Sequence, residues 1–204
     1  MEVPNTFSQL KILPFLAMTD TGAINGMSGL FMFLAYDEKV LEPLGMGFQL
    51  VKPPERCGGV GGQAQILSAL VTPAAIGGVP GLLSIVVILQ SVPWLLPIGL
   101  MLAMKGEIIL HESKIRWAAF EKAESKIQYQ QSGHPCIDIT EGLEKFFDEV
   151  PNAKQYNRES WHDDYIKELK KKASDFNGFN FQSFLSAITE NGHEDKKLKA
   201  IANN

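Results

Sequence analysis

Residues 57–104 read CGGVGGQAQILSALVTPAAIGGVPGLLSIVVILQSVPWLLPIGLMLAM and contain no Asp, Glu, Lys, Arg or His. The whole chain has 204 residues, 21% of them charged, so an uncharged run of 48 residues departs strongly from its average composition. A bilayer accounts for such a run, because a charged group at its centre costs roughly 2.5–3.5 kcal/mol on insertion scales. The alternative is a buried hairpin inside a globular core. We favour the membrane interpretation, because a chain of this size has little interior in which to hide so many uncharged residues.

This uncharged tract must turn, because a single helix of that length would extend roughly 72 Å, whereas the hydrocarbon core of a bilayer is about 30 Å thick. The strongest turn signal is Gly77-Gly78-Val79-Pro80-Gly81. Residues 81–104 after the turn are long and apolar enough for a transmembrane helix, with Gln90 as a rare polar side chain. Residues 64–76 before the turn are shorter and predict a re-entrant segment or a short span.

A second transmembrane helix is predicted over residues 12–36, although this segment contains Asp20 and Asn25. Small residues let membrane helices approach closely, and three glycines are predicted to form such a packing face: Gly22, Gly26 and Gly29. An ionisable group within a membrane usually has a partner or carries protons, which makes Asp20 the residue whose position itself suggests a role. This helix is therefore expected to face protein.

The predicted fold is all-α, with two transmembrane helices, or three if residues 64–76 cross completely. Residues 1–104 form the membrane region, and residues 105–204 form a helical hydrophilic extension. The charge distribution supports this division, since the first part has 4 basic and 6 acidic residues and the second has 15 and 17. Helices within the extension are predicted by apolar spacing and turn signals at residues 106–130, 140–150, 160–176 and 179–188.

His111 is the residue predicted to bind a cofactor, because a neutral imidazole near a membrane surface suits haem iron or chlorophyll magnesium. The alternative is an exposed helical histidine paired with Glu107. The glycine run 57–62 lacks the Lys-Ser/Thr of a phosphate-binding loop, so we interpret it as a flexible loop at the membrane surface. Neither catalytic residues nor a metal site is predicted, and the pairing state of Cys57 and Cys136 is left open.

The functional prediction is a non-catalytic accessory subunit of a multi-subunit, energy-transducing membrane complex, either respiratory or photosynthetic. Its partners would be other membrane subunits and lipid, and its location the mitochondrial inner or thylakoid membrane. Two alternatives are a small oligomeric transporter or channel and a tetrapyrrole-binding membrane protein. The net charge of −4 does not support binding to nucleic acid.

Overall fold

The computed structural model describes residues 13–20, 22–59, 62–90, 92–121, 123–129 and 133–175. Within these ranges the strands are β1 Leu16–Asp20, β2 Met27–Gly29, β3 Gln49–Leu50, β4 Gly58–Gly59, β5 Gly62–Gln63, β6 Ile66–Ile76, β7 Val79–Ile88, β8 Trp94–Pro97, β9 Gly106–Ile109, β10 Lys114–Trp117, β11 Ala123–Lys126, β12 Gln128–Tyr129 and β13 Pro135–Asp138. The α-helices in the same ranges are α1 Leu30–Tyr36, α2 Ile98–Ala103, α3 Phe146–Glu149 and α4 Ser160–Ser174.

The largest sheet among the described residues has eight strands, in the order β12-β13-β1-β8-β2-β7-β6-β3. Two neighbouring pairs are parallel, β1 with β8 and β2 with β7, and the other pairs are antiparallel. Leu16 of β1 is opposite Asp138 of β13. One sheet therefore contains strands from both the predicted membrane region, residues 1–104, and the predicted extension, residues 105–204.

The centre of the uncharged tract is a β-hairpin made of β6 and β7, with Ile76 opposite Val79. The two loop residues are Gly77 at φ +60° and Gly78 at φ +79°. A two-residue hairpin loop of this type needs positive φ at both positions, which glycine adopts without a steric penalty. The turn lies where the sequence predicts it, but it joins two strands.

Most residues of this hairpin are buried against the rest of the described protein, although Leu82 is 42% exposed. Leu70 and Ile85 belong to the main hydrophobic core, whereas Val86 and Ile88 pack in a second apolar cluster with Cys57. A strand covered on both faces has a nearly continuous apolar sequence, and its composition therefore resembles that of a membrane span. The prediction of an all-α membrane fold is wrong: none of the helices in the described ranges is both long enough and apolar enough to cross a bilayer.

Each predicted membrane segment has a different structure from the one expected. The segment 12–36 contains, from residue 13 onward, β1, β2 and the short buried helix α1. The segment 64–76 contains β6, and the segment 81–104 contains most of β7, then β8 and α2. The predicted mitochondrial or thylakoid membrane location was inferred from these helices, and it is contradicted together with them.

The first part of the predicted extension is also sheet. Instead of a helix at 106–130, strands β9, β10 and β11 form an antiparallel three-stranded sheet. Burial alternates along β10, where Ile115 and Trp117 are buried and Arg116 is exposed, as expected for a strand with one covered face. The Arg116 guanidinium lies 3.4 Å from the Glu107 carboxylate on the neighbouring strand, so this glutamate does not pair with His111.

The predicted helix at 160–176 is present as α4, from Ser160 to Ser174. Glu159 caps this helix, and His162 completes the reciprocal capping box. The region 140–150 contains a 3₁₀ turn followed by the single-turn helix α3. The helix predicted at 179–188 lies outside the described residues.

Two largely buried polar contacts attach the start of α4 to the rest of the fold. Arg158 donates two hydrogen bonds to Asp37, at 2.9 Å to Oδ1 and 3.0 Å to Oδ2. The His162 ring is also buried, with Nε2 2.9 Å from the Phe48 carbonyl oxygen. The Glu159 amide donates to His162 Nδ1 at 2.9 Å, so Nε2 is assigned as the donor to Phe48. Together these contacts fix α4 against the segment that follows α1.

Candidate functional site

Asp20 is the last residue of β1, and its half-buried side chain lies at the edge of the sheet where β1 and the parallel strand β8 both end. In the pairing register it is opposite Pro97, the last residue of β8. The Gly22 amide donates a hydrogen bond to Asp20 Oδ1 at 2.8 Å. This is a local turn stabilised by an aspartate side chain, and it fixes the orientation of the carboxylate.

The loop after Asp20 is held on two sides by backbone hydrogen bonds. The Ile98 amide donates to the Ala23 carbonyl at 3.1 Å, and the Val86 amide donates to the Gly26 carbonyl at 2.9 Å. A Cβ atom on Gly26 would overlap the Ser84 carbonyl oxygen, so only glycine allows this close approach. The position of the Asp20 carboxylate is therefore determined by the strand end and by the attached loop.

An open groove with a volume of about 480 Å³ lies beside this loop. It is lined by loop residues 24–26, parts of the segment 51–54, β7 residues 84–86, parts of the segment 97–100, and Ala69. Most of these side chains are apolar, and Ile24 is 86% exposed. Lys52 is the charged residue among the described lining residues. Such a groove suits an extended ligand with apolar side chains.

The glycine run 57–62, interpreted from sequence as a loop at a membrane surface, contributes to the paired strands β4 and β5. The Ala64 amide donates to the Cys57 carbonyl at 2.9 Å and closes the base of this hairpin. Cys57 packs against Val86 and Ile88, and burial raises the pKa of its thiol. Cys57 and Cys136 are both buried, and Cys57 forms no disulfide, so its thiol is protected and poorly nucleophilic.

The glycines predicted to pack membrane helices occur in a loop and a strand instead. Gly22 and Gly26 belong to the loop after β1, and Gly29 is the last residue of β2. A Cβ atom on Gly29 would lie 2.6 Å from the carbonyl oxygen of Gln90 and from the amide of Val92. The predicted helix-packing face is therefore not formed, but Gly26 and Gly29 do allow close contacts between backbone segments of the sheet.

The other polar residues singled out from the sequence, Asn25, Gln90 and His111, are exposed and lie in different parts of the fold. Asn25 is exposed at the groove, and Gln90 is exposed where β7 ends. His111 lies in a 3₁₀ turn between β9 and β10; its side chain is 81% exposed and its Nε2 is 3.3 Å from Glu112. Tetrapyrrole binding at His111 stays a prediction, although the helix that suggested it is replaced by strands.

Across the described ranges, no group of three or more His, Cys, Asp and Glu side chains is arranged to hold a metal ion.

Sequence reasoning identified Asp20 and Asn25 but missed Lys52, Ser84 and Pro97. The pairing of β1 with β8 places Asp20 opposite Pro97, the pairing of β2 with β7 brings the loop at Asn25 close to Ser84, and Lys52 is placed by the pairing of β3 with β6. Pairing between distant strands leaves no local signal. The local signal that was available is an apolar run ending in aspartate and followed two residues later by glycine, which is typical of a strand entering a turn.

No protein-family model matches this chain, and no curated protein matches it either. The functional assignment therefore depends on the chemistry of Asp20 and of the groove beside it.

Proposed function

We propose that this chain is one half of a homodimeric aspartic peptidase, in which Asp20 of each copy supplies one catalytic carboxylate. The observation that carries the proposal is the carboxylate of Asp20, held by the Gly22 amide at 2.8 Å at the end of β1, opposite Pro97, which lines an apolar groove. Aspartic peptidases use two aspartates that share one proton, because two like charges a few Å apart do not both ionise.

The reaction needs an acid and a base at the same time. The ionised carboxylate takes a proton from water while the water oxygen attacks the peptide carbonyl carbon, and the protonated carboxyl gives its proton to the carbonyl oxygen. The carboxyl that took the proton from water then gives it to the amine nitrogen, and the other carboxylate takes a proton from a hydroxyl of the tetrahedral intermediate. The C–N bond breaks, which releases the amine and the carboxylic acid and restores both aspartates. Asp20 performs one of these roles in one chain, and a two-fold dimer places the second copy of the same carboxylate across the symmetry axis.

The groove supplies the binding surface that this reaction requires. Ile24 lies close to Asp20 in the chain, lines the groove and is 86% exposed, so its apolar side chain is available to a bound peptide. Pro97, opposite Asp20 in the register, also lines the groove. Under this proposal a peptide in the groove reaches the Asp20 carboxylate by way of Pro97, and holding the peptide there makes the reaction effectively intramolecular.

The direct test is Asp20→Asn, which keeps the shape of the side chain and removes its acid–base function. Cleavage of casein and of a mixed peptide library by the full chain should follow a bell-shaped pH profile, and the variant should lose about 10²–10⁴-fold in kcat/KM. The control is Asp148→Asn, at an exposed aspartate of α3. Equal cleavage by wild type and Asp20→Asn, with unchanged circular dichroism spectra, would refute the proposal.

The dimer has its own test. Activity per chain should fall when the protein is diluted below its dimerisation constant. In an equal mixture of wild-type chains and Asp20→Asn chains, about one quarter of randomly formed dimers contain two intact carboxylates, so activity per wild-type chain should fall to about half. Full activity in a particle that sediments as a monomer would contradict this arrangement.

A non-catalytic interaction module is the second candidate, and it retains the accessory-subunit hypothesis without its membrane. It is favoured by two exposed apolar side chains, Leu102 at 72% and Leu110 at 63%. Exposed apolar side chains that form a contiguous patch are typical of protein interfaces. Under this hypothesis Asp20→Asn has no effect on partner binding, whereas Leu102→Glu abolishes co-purification of a stoichiometric partner.

A further inference from the structure

Lys52 gives the groove a single positive charge. The groove lining otherwise consists of apolar or neutral residues, and none of its described members is acidic. Glu55 and Arg56 follow closely in the sequence but do not line the groove. A ligand in the groove therefore meets apolar contacts along most of its length and a single ammonium group at one place.

The backbone that carries Lys52 is held in place. The Val51 amide donates to the Ala69 carbonyl at 2.9 Å, which extends the pairing of β3 with β6 by one residue. Pro53 follows Lys52, and a residue before proline is restricted to extended conformations. Lys52 is exposed and lines the groove, so its side chain does not have to leave a buried position to meet a ligand.

We propose that the groove selects extended peptides in which an apolar residue is flanked by an acidic one, with Lys52 as the specificity-determining residue that contacts the peptide carboxylate. This inference rests on the proposed peptidase function for its substrate class, and it goes further by naming the charge preference and its source. The apolar lining holds the apolar side chain, and Lys52 discriminates between a carboxylate and an amide at the flanking position.

Binding to the Asp20→Asn chain measures this preference without cleavage. The probes are fluorescein-labelled peptides that contain one leucine, with Glu or Gln placed in turn at each flanking position and all other residues Ala or Ser. Fluorescence anisotropy at low salt should show about three- to fivefold tighter binding for Glu at one position, and the difference should shrink as salt is added. Lys52→Met should remove the difference, and Lys52→Glu should transfer the preference to a peptide with Lys at that position.

The matched control is Lys154→Glu, which makes the same charge change at an exposed residue outside the groove lining. It should keep the preference for Glu. Equal binding of Glu and Gln peptides, the same loss of preference in Lys154→Glu as in Lys52→Glu, or no binding of either peptide would each overturn the inference.

The two proposals fail separately in this design. If the wild-type chain cleaves Glu and Gln peptides with the same kcat/KM, the charge preference is wrong and the peptidase proposal stands. If the groove binds Glu peptides selectively but the wild-type chain cleaves none of them, the peptidase proposal is wrong and the charge preference stands.

Discussion

Replacing Arg158 by Met is expected to destabilise the fold by about 3–5 kcal/mol at neutral pH, because it leaves a buried carboxylate without its partner. The Asp37 side chain is 1% exposed, and Arg158 contacts both of its oxygens, at 2.9 Å and 3.0 Å. Arg158 Nε also contacts Asp163 Oδ1 at 2.8 Å, but the Asp163 side chain is 51% exposed, and such pairs contribute about 1 kcal/mol or less. The loss of stability therefore comes mainly from the buried Asp37 carboxylate that is left without its partner.

The stability lost in Arg158→Met should depend on pH, and the direction of this dependence follows from the pKa of Asp37. Burial raises this pKa above the ordinary value of 3.8, while the hydrogen bonds and charge of Arg158 act against the increase. Without the guanidinium the pKa rises further. A carboxyl whose pKa is higher in the folded state binds more protons when folded, so its contribution to stability falls as the pH rises above 3.8. Arg158→Met should therefore lose less stability at about pH 4 than at pH 7.

Urea unfolding followed by tryptophan fluorescence and circular dichroism, at several pH values, measures both effects. The double variant Asp37→Asn/Arg158→Met should recover part of the loss, because it removes the buried charge together with its partner. Asp163→Asn should change the free energy of unfolding by less than about 1 kcal/mol. A loss below about 1 kcal/mol in Arg158→Met at pH 7, or a loss that is the same at all pH values, would show that Asp37 is not desolvated as described.

Two other substitutions test the packing around the hairpin, both by urea unfolding. Tyr36→Phe removes a buried hydroxyl that donates to the Pro73 carbonyl at 3.0 Å and should cost about 1–2 kcal/mol; no change would mean that water replaces this bond. Gly142→Ala should cost about 2–4 kcal/mol, because Gly142 has φ +90° and its new methyl group would overlap the Gly78 carbonyl. The control Gly81→Ala, on a strand with open space around its Cβ position, should change stability by less than about 1 kcal/mol.

Local features were predictable because they depend on neighbouring residues. The turn at Gly77-Gly78 and the start of α4 at Ser160 both follow from short-range chemistry, namely glycine with positive φ and an amphipathic helical pattern. The β-hairpin itself also had a local signal in the β-branched run from Ile85 to Ile88, bounded upstream by a two-residue glycine loop. The error was to interpret apolar length as evidence of a bilayer.

The candidate site was only partly predictable. Asp20 and Asn25 attracted attention as polar residues in an apolar region, whereas Lys52 and Pro97 carry no such signal. Asp20 and Pro97 are 77 positions apart in the chain, and only the parallel pairing of β1 with β8 places them opposite each other. The groove therefore depends on which strands are neighbours in the sheet, and not on residues that are close in the chain.

The amino-acid sequence by itself determined that residues 57–104 are uncharged and mostly apolar, that this tract reverses direction near Gly77, and that a helix begins at Ser160. Only the tertiary structure decided that neighbouring strands and helices cover most of the hairpin, and that the loop after β1 becomes one side of a groove. The physical reason is that apolar composition reflects the removal of side chains from water, which a bilayer and a protein core achieve equally well. Which surface covers a strand, and which distant residues meet there, depends on pairings that form only when the whole chain folds.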